Sequence, residues 1–323
     1  MGTGTVILAG IDEAGFGPIL GPLVVSSSVF RVPENLIWAD LWGVLHKSVS
    51  DKRTGLSGRV LIADSKKAFS RSLGVGHLRR TVLTVLRHLG KQPENLTQLL
   101  SLLCPDCLTH LAEYPWYKQV DGYLLGGDGA DVAIAASMLK TDLANRHIEL
   151  VGLESRCLEV AYYNKMVAAV KNKAKVLFTA VAELMQSAME EFPNDDLEIV
   201  IDRQGGRSHY RRELQLMFGQ MGLRIIKEGQ NRSSYELAAD SRRVRVHFVV
   251  GADGRFLPVS LASMASKYIR EVLVDNINHY FIGFNESVRP TAGYWKDGLR
   301  FIQDIKTRIP DVSFDANQLI RCR

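Results

Sequence analysis

The chain has 323 residues, 46% of them hydrophobic and 23% charged, the composition of an ordinary globular protein with enough chain for a full core. Forty basic residues against 35 acidic leave a net charge of +5, which is compatible with a polyanionic partner but does not demand one. Four cysteines in so long a chain exclude a disulfide framework. No apolar run approaches the roughly 18 residues of a membrane span, and residues 5–8 are too short for a signal-peptide core. The expectation is a cytoplasmic protein without membrane contact, acting as a monomer.

In chain order, an apolar run at residues 6–8 leads through Gly10-Ile11 to adjacent acids, Asp12 and Glu13. Gly15, Gly17 and Pro18 mark a turn, and residues 23–30 read as a second strand. Residues 35–46 are amphipathic and predict a helix, 48–59 a polar loop, and 60–70 a short apolar run opening into Asp64-Ser65-Lys66-Lys67. Leucines and valines at helical spacing fill 77–89, closed by Gly90. Residues 91–147 read as a largely helical insertion carried on the domain. Alternation then resumes: strand 148–153, one long helix 163–191, strand 197–201 ending at Asp202, helix 209–222 and strand 223–227. A hairpin of 244–250 with 256–259, helix 260–280 and a last helix over 293–309 complete the pattern. Strands alternating with helices indicate an α/β fold, a central mixed β-sheet flanked by helices.

The informative positions are acids at strand ends. Burying a carboxylate there is costly unless it is paired, hydrogen-bonded or bound to a cation. Asp12 and Glu13 end the first strand and Asp202 ends a later one; Glu271, on the helix 260–280, could face the same edge, with Asp275 one turn further on as its substitute. Such carboxylates repel unless divalent cations neutralise them, and hard oxygen donors suit Mg2+ or Mn2+. Neighbouring strand residues point to opposite faces, so Asp12 and Glu13 can share a cluster only if the strand breaks there. Gly15 and Gly17 would permit that break.

GIDEAGFGPILGPLVV resembles the opening signature of the type 2 ribonucleases H (the HII family), G-I-D-E-A-G-R-G-P-x-x-G-P-V-V. Later segments follow in the family's order. Asp64-Ser65-Lys66-Lys67 resembles its D-S-K-K segment, and Val200-Ile201-Asp202 the strand bearing its third acid. Residues 263–271 resemble its S-I-I-A-K-V-T-R-D helix, which puts Glu271 at the fourth acid, and Gly293-Tyr294 resembles the G-Y of its C-terminal helix.

This resemblance implies a ribonuclease H-like catalytic domain over 1–280, the insertion at about 91–147 included, with 281–323 as a C-terminal helical extension packed on it. It implies hydrolysis of the RNA strand of RNA–DNA hybrids, or of a ribonucleotide-containing duplex, with two divalent cations held by Asp12, Glu13, Asp202 and Glu271. Gly15, Phe16, Gly17, Ser65, Lys66 and Tyr294 would bind substrate. Phe16 stands where the family has arginine, and Glu271 where it has aspartate. The alternatives are a non-catalytic nucleic-acid-binding protein on the same fold and a nuclease with another substrate, such as DNA. Cys104-x-x-Cys107-x-x-His110 lacks a second Cys/His pair at zinc spacing and reads as structural.

Overall fold

Two long runs near the N-terminus, β1 (Thr5–Ala14) and β2 (Leu23–Pro33), pair antiparallel from Thr5 opposite Pro33 to Ala14 opposite Val24. The remaining strands are β3 (Val49–Ser50), β4 (Val60–Leu61), β5 (Glu149–Leu158), β6 (Leu197–Asp202), β7 (Gly222–Lys227), β8 (Arg232–Ala239) and β9 (Arg242–Val249). Seven of them form one sheet in the order β5-β2-β1-β6-β9-β8-β7, while β3 and β4 form a separate parallel pair. The inner contacts β1–β6 and β6–β9 are parallel and the outer ones antiparallel, so the sheet is mixed. The structure is a computed structural model describing residues 4–70, 72–118, 120–239 and 242–322, the side chains of Asp121 and Ala239 apart.

Both faces of the sheet are covered, which is why the inner strands are nearly continuous apolar runs. On one face Leu8, Val24, Val200 and Val249 lie in one apolar core with residues of the helix Leu257–Phe284. On the other, Ile7, Ile11, Ile199 and Phe248 lie in a second core with residues of the helix Lys173–Glu191. The approach of the first helix is set by Gly10, where a Cβ would stand 2.2 Å from the backbone of Pro258 and Val259. Only a glycine lets helix and strand meet backbone to backbone there.

Several expectations change. Residues 35–46 are a 3-10 turn (Glu34–Leu36) and a one-turn helix (Leu41–Val44) capped by Asp40, because the turn from Leu36 to Ala39 interrupts the periodicity. The polar loop contains β3. The long helix is two, Val160–Val170 and Lys173–Glu191, parted where Lys171 takes a left-handed φ of 52° and Asn172 caps the second. The helix expected over 209–222 is shorter, Arg211–Met217. The 256–259 arm is no strand: Pro258 opens the helix Leu257–Phe284 in its first turn, and β9 pairs instead with β8, which sequence reading passed over. Strand β1 does not break at the acids; it runs through Asp12 and Glu13 to Ala14, so their side chains leave opposite faces of the sheet and Glu13 can approach the other acids only around the strand's end.

Residues 91–147 supply the helices Leu96–Leu103, Cys107–Leu111 and Gly129–Asn145 and no strand of the main sheet. Their leucines share the core of Leu8 and Val24, as do Phe301 and Ile305 of the helix Trp295–Arg308. Among the described residues no helix is long and apolar enough to cross a membrane.

Candidate active site

The parallel pairing brings two acids to the same edge. Ile11 opposite Ile201 is the last registered pair of β1 and β6, and Asp12 and Asp202 follow it directly. Asp12 is buried. Its carboxyl lies well above the usual range, first through burial, then through the charges of Glu13, Asp202 and Asp253, while a hydrogen bond with Ser263 works in the opposite sense. Glu13 is raised to about 7 by burial and by Asp202. Asp202 is raised to about 6, mainly by burial, although Ala252 N–H donates to its Oδ1 at 2.7 Å. Three carboxyl groups held above their ordinary values at one edge are a concentration of uncompensated negative charge.

A fourth acid joins them that sequence reading missed. Asp253 lies in the turn Ala252–Gly254 after β9; it is raised by burial and by Asp64, and it adds to the repulsion on Asp12 and Asp202. The signal was present, an acid just beyond the end of an apolar strand, but the expected hairpin hid it. Lys66 is the cation that faces this group, lowering Glu13, Asp202 and Asp253 alike. The side chain of Asp64 accepts from Lys66 N–H at 2.9 Å and so starts the turn that carries Ser65 and Lys66. Ser65 itself is buried and accepts from Ser263 Oγ at 3.0 Å. Ser266 Oγ lies 3.0 Å from Asp12 O and 2.8 Å from Ser26 Oγ, fixing the helix to the strand behind the acid.

Glu271 is not part of the group. Its Oε1 accepts from Lys267 Nζ and from Arg270 Nη1, each at 2.7 Å, inside a buried ion cluster. Its helix position turns it toward the side lined by Phe69, Tyr123 and Thr291. The substitute, Asp275, accepts from Tyr123 Oη at 3.2 Å and faces His279. Sequence spacing could place both on the helix but could not give the helix rotation.

The glycine turn is clamped from behind. Gly15 has φ 97°, and a Cβ there would stand 2.6 Å from Pro22 O and 2.8 Å from Arg270 Cδ. Arg270, fully buried, donates through Nη2 to Ala292 O at 2.9 Å and Leu20 O at 3.3 Å. Arg321, also buried, donates to Gly15 O and Pro18 O. Its neighbour Cys322 is exposed and donates its N–H to Asn164 Oδ1 at 2.7 Å. Ile19 N–H bonds Gly293 O at 2.8 Å, which brings Tyr294 beside the turn with 52% of its surface exposed. Phe16 packs against the second core with Lys173 Nζ 5.0 Å above its ring, and Gly17 has open space around it.

Elsewhere, Cys107 Sγ lies 3.6 Å from Cys104 Sγ, and Cys157, distant in sequence, stands beside them; all three are buried free thiols. Among the described residues no group of three or more His, Cys, Asp and Glu side chains is arranged so as to hold a metal ion, the acids at the sheet edge included.

No protein-family model matches the chain, and no curated protein does. Solved structures similar to it include RNase HII of Archaeoglobus fulgidus, solved with PCNA, at 16% identity and a TM-score of 0.45 over 98% of this chain and 95% of that one. Bst-RNase HIII in complex with Mn2+ gives 13% identity and a TM-score of 0.47 over 99% of this chain and 67% of that one. The ribonuclease H2 of Pyrococcus horikoshii OT3 gives 13% and 0.40 over 97% and 92%.

Proposed function

We propose that the chain is a ribonuclease H-like endonuclease that hydrolyses the RNA strand of RNA–DNA hybrids at the sheet edge formed by Asp12, Glu13, Asp202 and Asp253. The observation that carries this reading is the placement of Asp12 and Asp202 at the adjoining ends of paired parallel strands, with Glu13 and Asp253 near enough for their charges to act there and Lys66 facing the group. The donor chemistry fits a hard divalent cation, because the group is all carboxylate and its members are raised by one another. Asp12, Glu13, Asp202 and Asp253 would hold the ions. Two Mg2+ or Mn2+ ions would supply Lewis acidity for in-line displacement by water at phosphorus.

The chain's own residues do the rest. Lys66 draws the phosphodiester toward the acids against their own charge. The hydrogen bond from Ala252 N–H orients Asp202, and Ser263 and Ser266 fix Asp12. Gly15, Phe16 and Gly17 form the wall along which the strand lies, held rigid by Arg270 and Arg321, and Tyr294 closes its far side against a sugar. The working unit is residues 1–280, with 281–323 packed on it and supplying Tyr294 and the Arg321 clamp.

The test is a cleavage panel of RNA–DNA hybrid, single-ribonucleotide duplex, DNA duplex and RNA duplex, with Mg2+ or Mn2+. Cleavage of the hybrid that Asp12→Asn abolishes while hybrid binding persists is the expected result. Binding without cleavage in either metal would replace the enzyme by a nucleic-acid-binding protein, and unchanged turnover in Asp12→Asn would remove the site.

A further inference from the structure

A groove of 990 Å3 opens next to the acid edge, lined among others by Trp38, Trp42, Lys52, Arg59, Arg232 and Arg255. We propose that this groove binds the phosphodiester backbone of the nucleic-acid strand within a few nucleotides of the acid group, with Arg232 and Arg255 as the phosphate contacts. The proposal rests on the nuclease reading for the identity of the polymer and on the following geometry for the place.

Asp202 pairs with Val249 across β6 and β9, and Val249 pairs with Arg232 across β9 and β8. The three therefore stand in one row. At a strand spacing of about 4.8 Å, Arg232 begins roughly 10 Å from Asp202, within a few nucleotides of it along a bound strand. Arg255 lines the same groove, two residues after Asp253 and directly after the turn that carries it.

Each guanidinium lies over a ring, Arg232 over Trp38 at 5.1 Å and Arg255 over Phe256 at 5.9 Å. Trp38 is itself wedged edge-on against His247 and Phe256, so the platform is fixed. Among the described residues neither guanidinium has a carboxylate partner. Arg243 and Arg245, at the opposite end of the same strand pair, are engaged by Asp196, Glu198 and Glu236. A stacked but unpaired guanidinium keeps its fork of donors in place for an anion and loses little freedom on binding.

Of the remaining cations, Arg59 donates to the carbonyls of Leu56, Gly55 and His46, and Lys52 also lines the groove. The acids in the groove are Asp40, turned to cap Trp42 N–H at 3.1 Å, and Asp51. The charge complements a polyanion, and the groove continues the edge where the acids stand.

The experiment measures binding of a labelled RNA–DNA hybrid by fluorescence anisotropy in EDTA across a salt series, so that cleavage plays no part. The expected result is that Arg232→Gln/Arg255→Gln lowers the slope of log affinity against log salt by about two. Trp38→Ala weakens binding about 2- to 5-fold by freeing Arg232. Shortening the hybrid on one side until no phosphate beyond the acids reaches the groove should erase the difference between wild type and the double variant. If the double variant melts early, Arg232→Lys/Arg255→Lys keeps the charge and should keep the slope while losing the stacked geometry. Tight, salt-dependent binding with an unchanged slope in the double variant overturns the groove and leaves the acid site standing. Failure of the wild type to bind any nucleic acid overturns both. Equal competition by polyglutamate would also overturn the groove, as the mark of a surface for acidic proteins.

Discussion

Glu271 and the four acids at the sheet edge have opposite surroundings. Glu271 sits between Lys267 and Arg270, with its charge answered on two sides at 2.7 Å. Asp12, Glu13, Asp202 and Asp253 gather at one sheet edge with their carboxyl groups pushed up, and Lys66 answers the charge of the last three alone. A compensated buried acid holds the fold together. An uncompensated group costs stability, and a fold keeps it where a ligand of opposite charge completes it.

The sharpest way to break the comparison is to neutralise one member of each group. Asp12→Asn should lower hybrid cleavage by about three orders of magnitude or more and leave the thermal midpoint unchanged or higher, because it removes repulsion. A variant that keeps cleavage, or that melts well below wild type, would contradict the contrast. Glu271→Gln should do the reverse: it strands the Arg270 guanidinium in the core and should cost about 3–5 kcal/mol in urea unfolding, with cleavage retained in the fraction that folds. Gly10→Ala comes next, at about 1–3 kcal/mol or more. The added methyl forces Pro258 and Val259 away and carries Ser263 and Ser266 off Asp12, so stability and turnover should fall together.

The pH dependence follows from the raised values. Glu13 moves from 4.5 to about 7 and Asp202 from 3.8 to about 6, so the folded chain holds those protons more tightly than the unfolded chain. Their contribution is therefore favourable at low pH. It is lost as pH rises from about 4 to about 7 and is flat above that. Urea titrations in EDTA at pH 5 and pH 8 should show the acid group destabilising at the higher pH, and added Mg2+ should recover more stability at pH 8 than at pH 5. No difference between the two metal effects would argue against a shared ion site. The smallest expected effect belongs to Asp275→Asn, within about 0.5 kcal/mol and with normal cleavage, since its side chain is half-exposed and outside both groups.

What could be read without coordinates divides along physical lines. Strand ends carry position: a run such as Val6–Leu8 or Leu197–Ile201 reports where the chain leaves the sheet, and the acids after it were placed at the right edge. The register that sets Asp12 beside Asp202 is a long-range fact, and only the pairing gives it. Helix positions carry spacing without rotation, which is why Glu271 was assigned to the acids when its helix turns it to Lys267 and Arg270. Strand β8 was invisible because RSSYELAA alternates weakly and its partner β9 follows only after a short connection. That oversight also concealed Asp253, since an expected hairpin at 256–259 made its turn look ordinary. Glycine signals fared better: Gly15 does take a left-handed φ, although the strand continues through the acids before reaching it.

The Arg321 clamp has a practical corollary. The residue beside it, Cys322, is the exposed thiol of the chain, while Cys104, Cys107 and Cys157 are shielded by burial. A fluorophore attached through that sulfur would sit one residue from the guanidinium that grips Gly15 O and Pro18 O. The glycine turn thus comes with its own optical handle, one that reports whether the clamp stays closed.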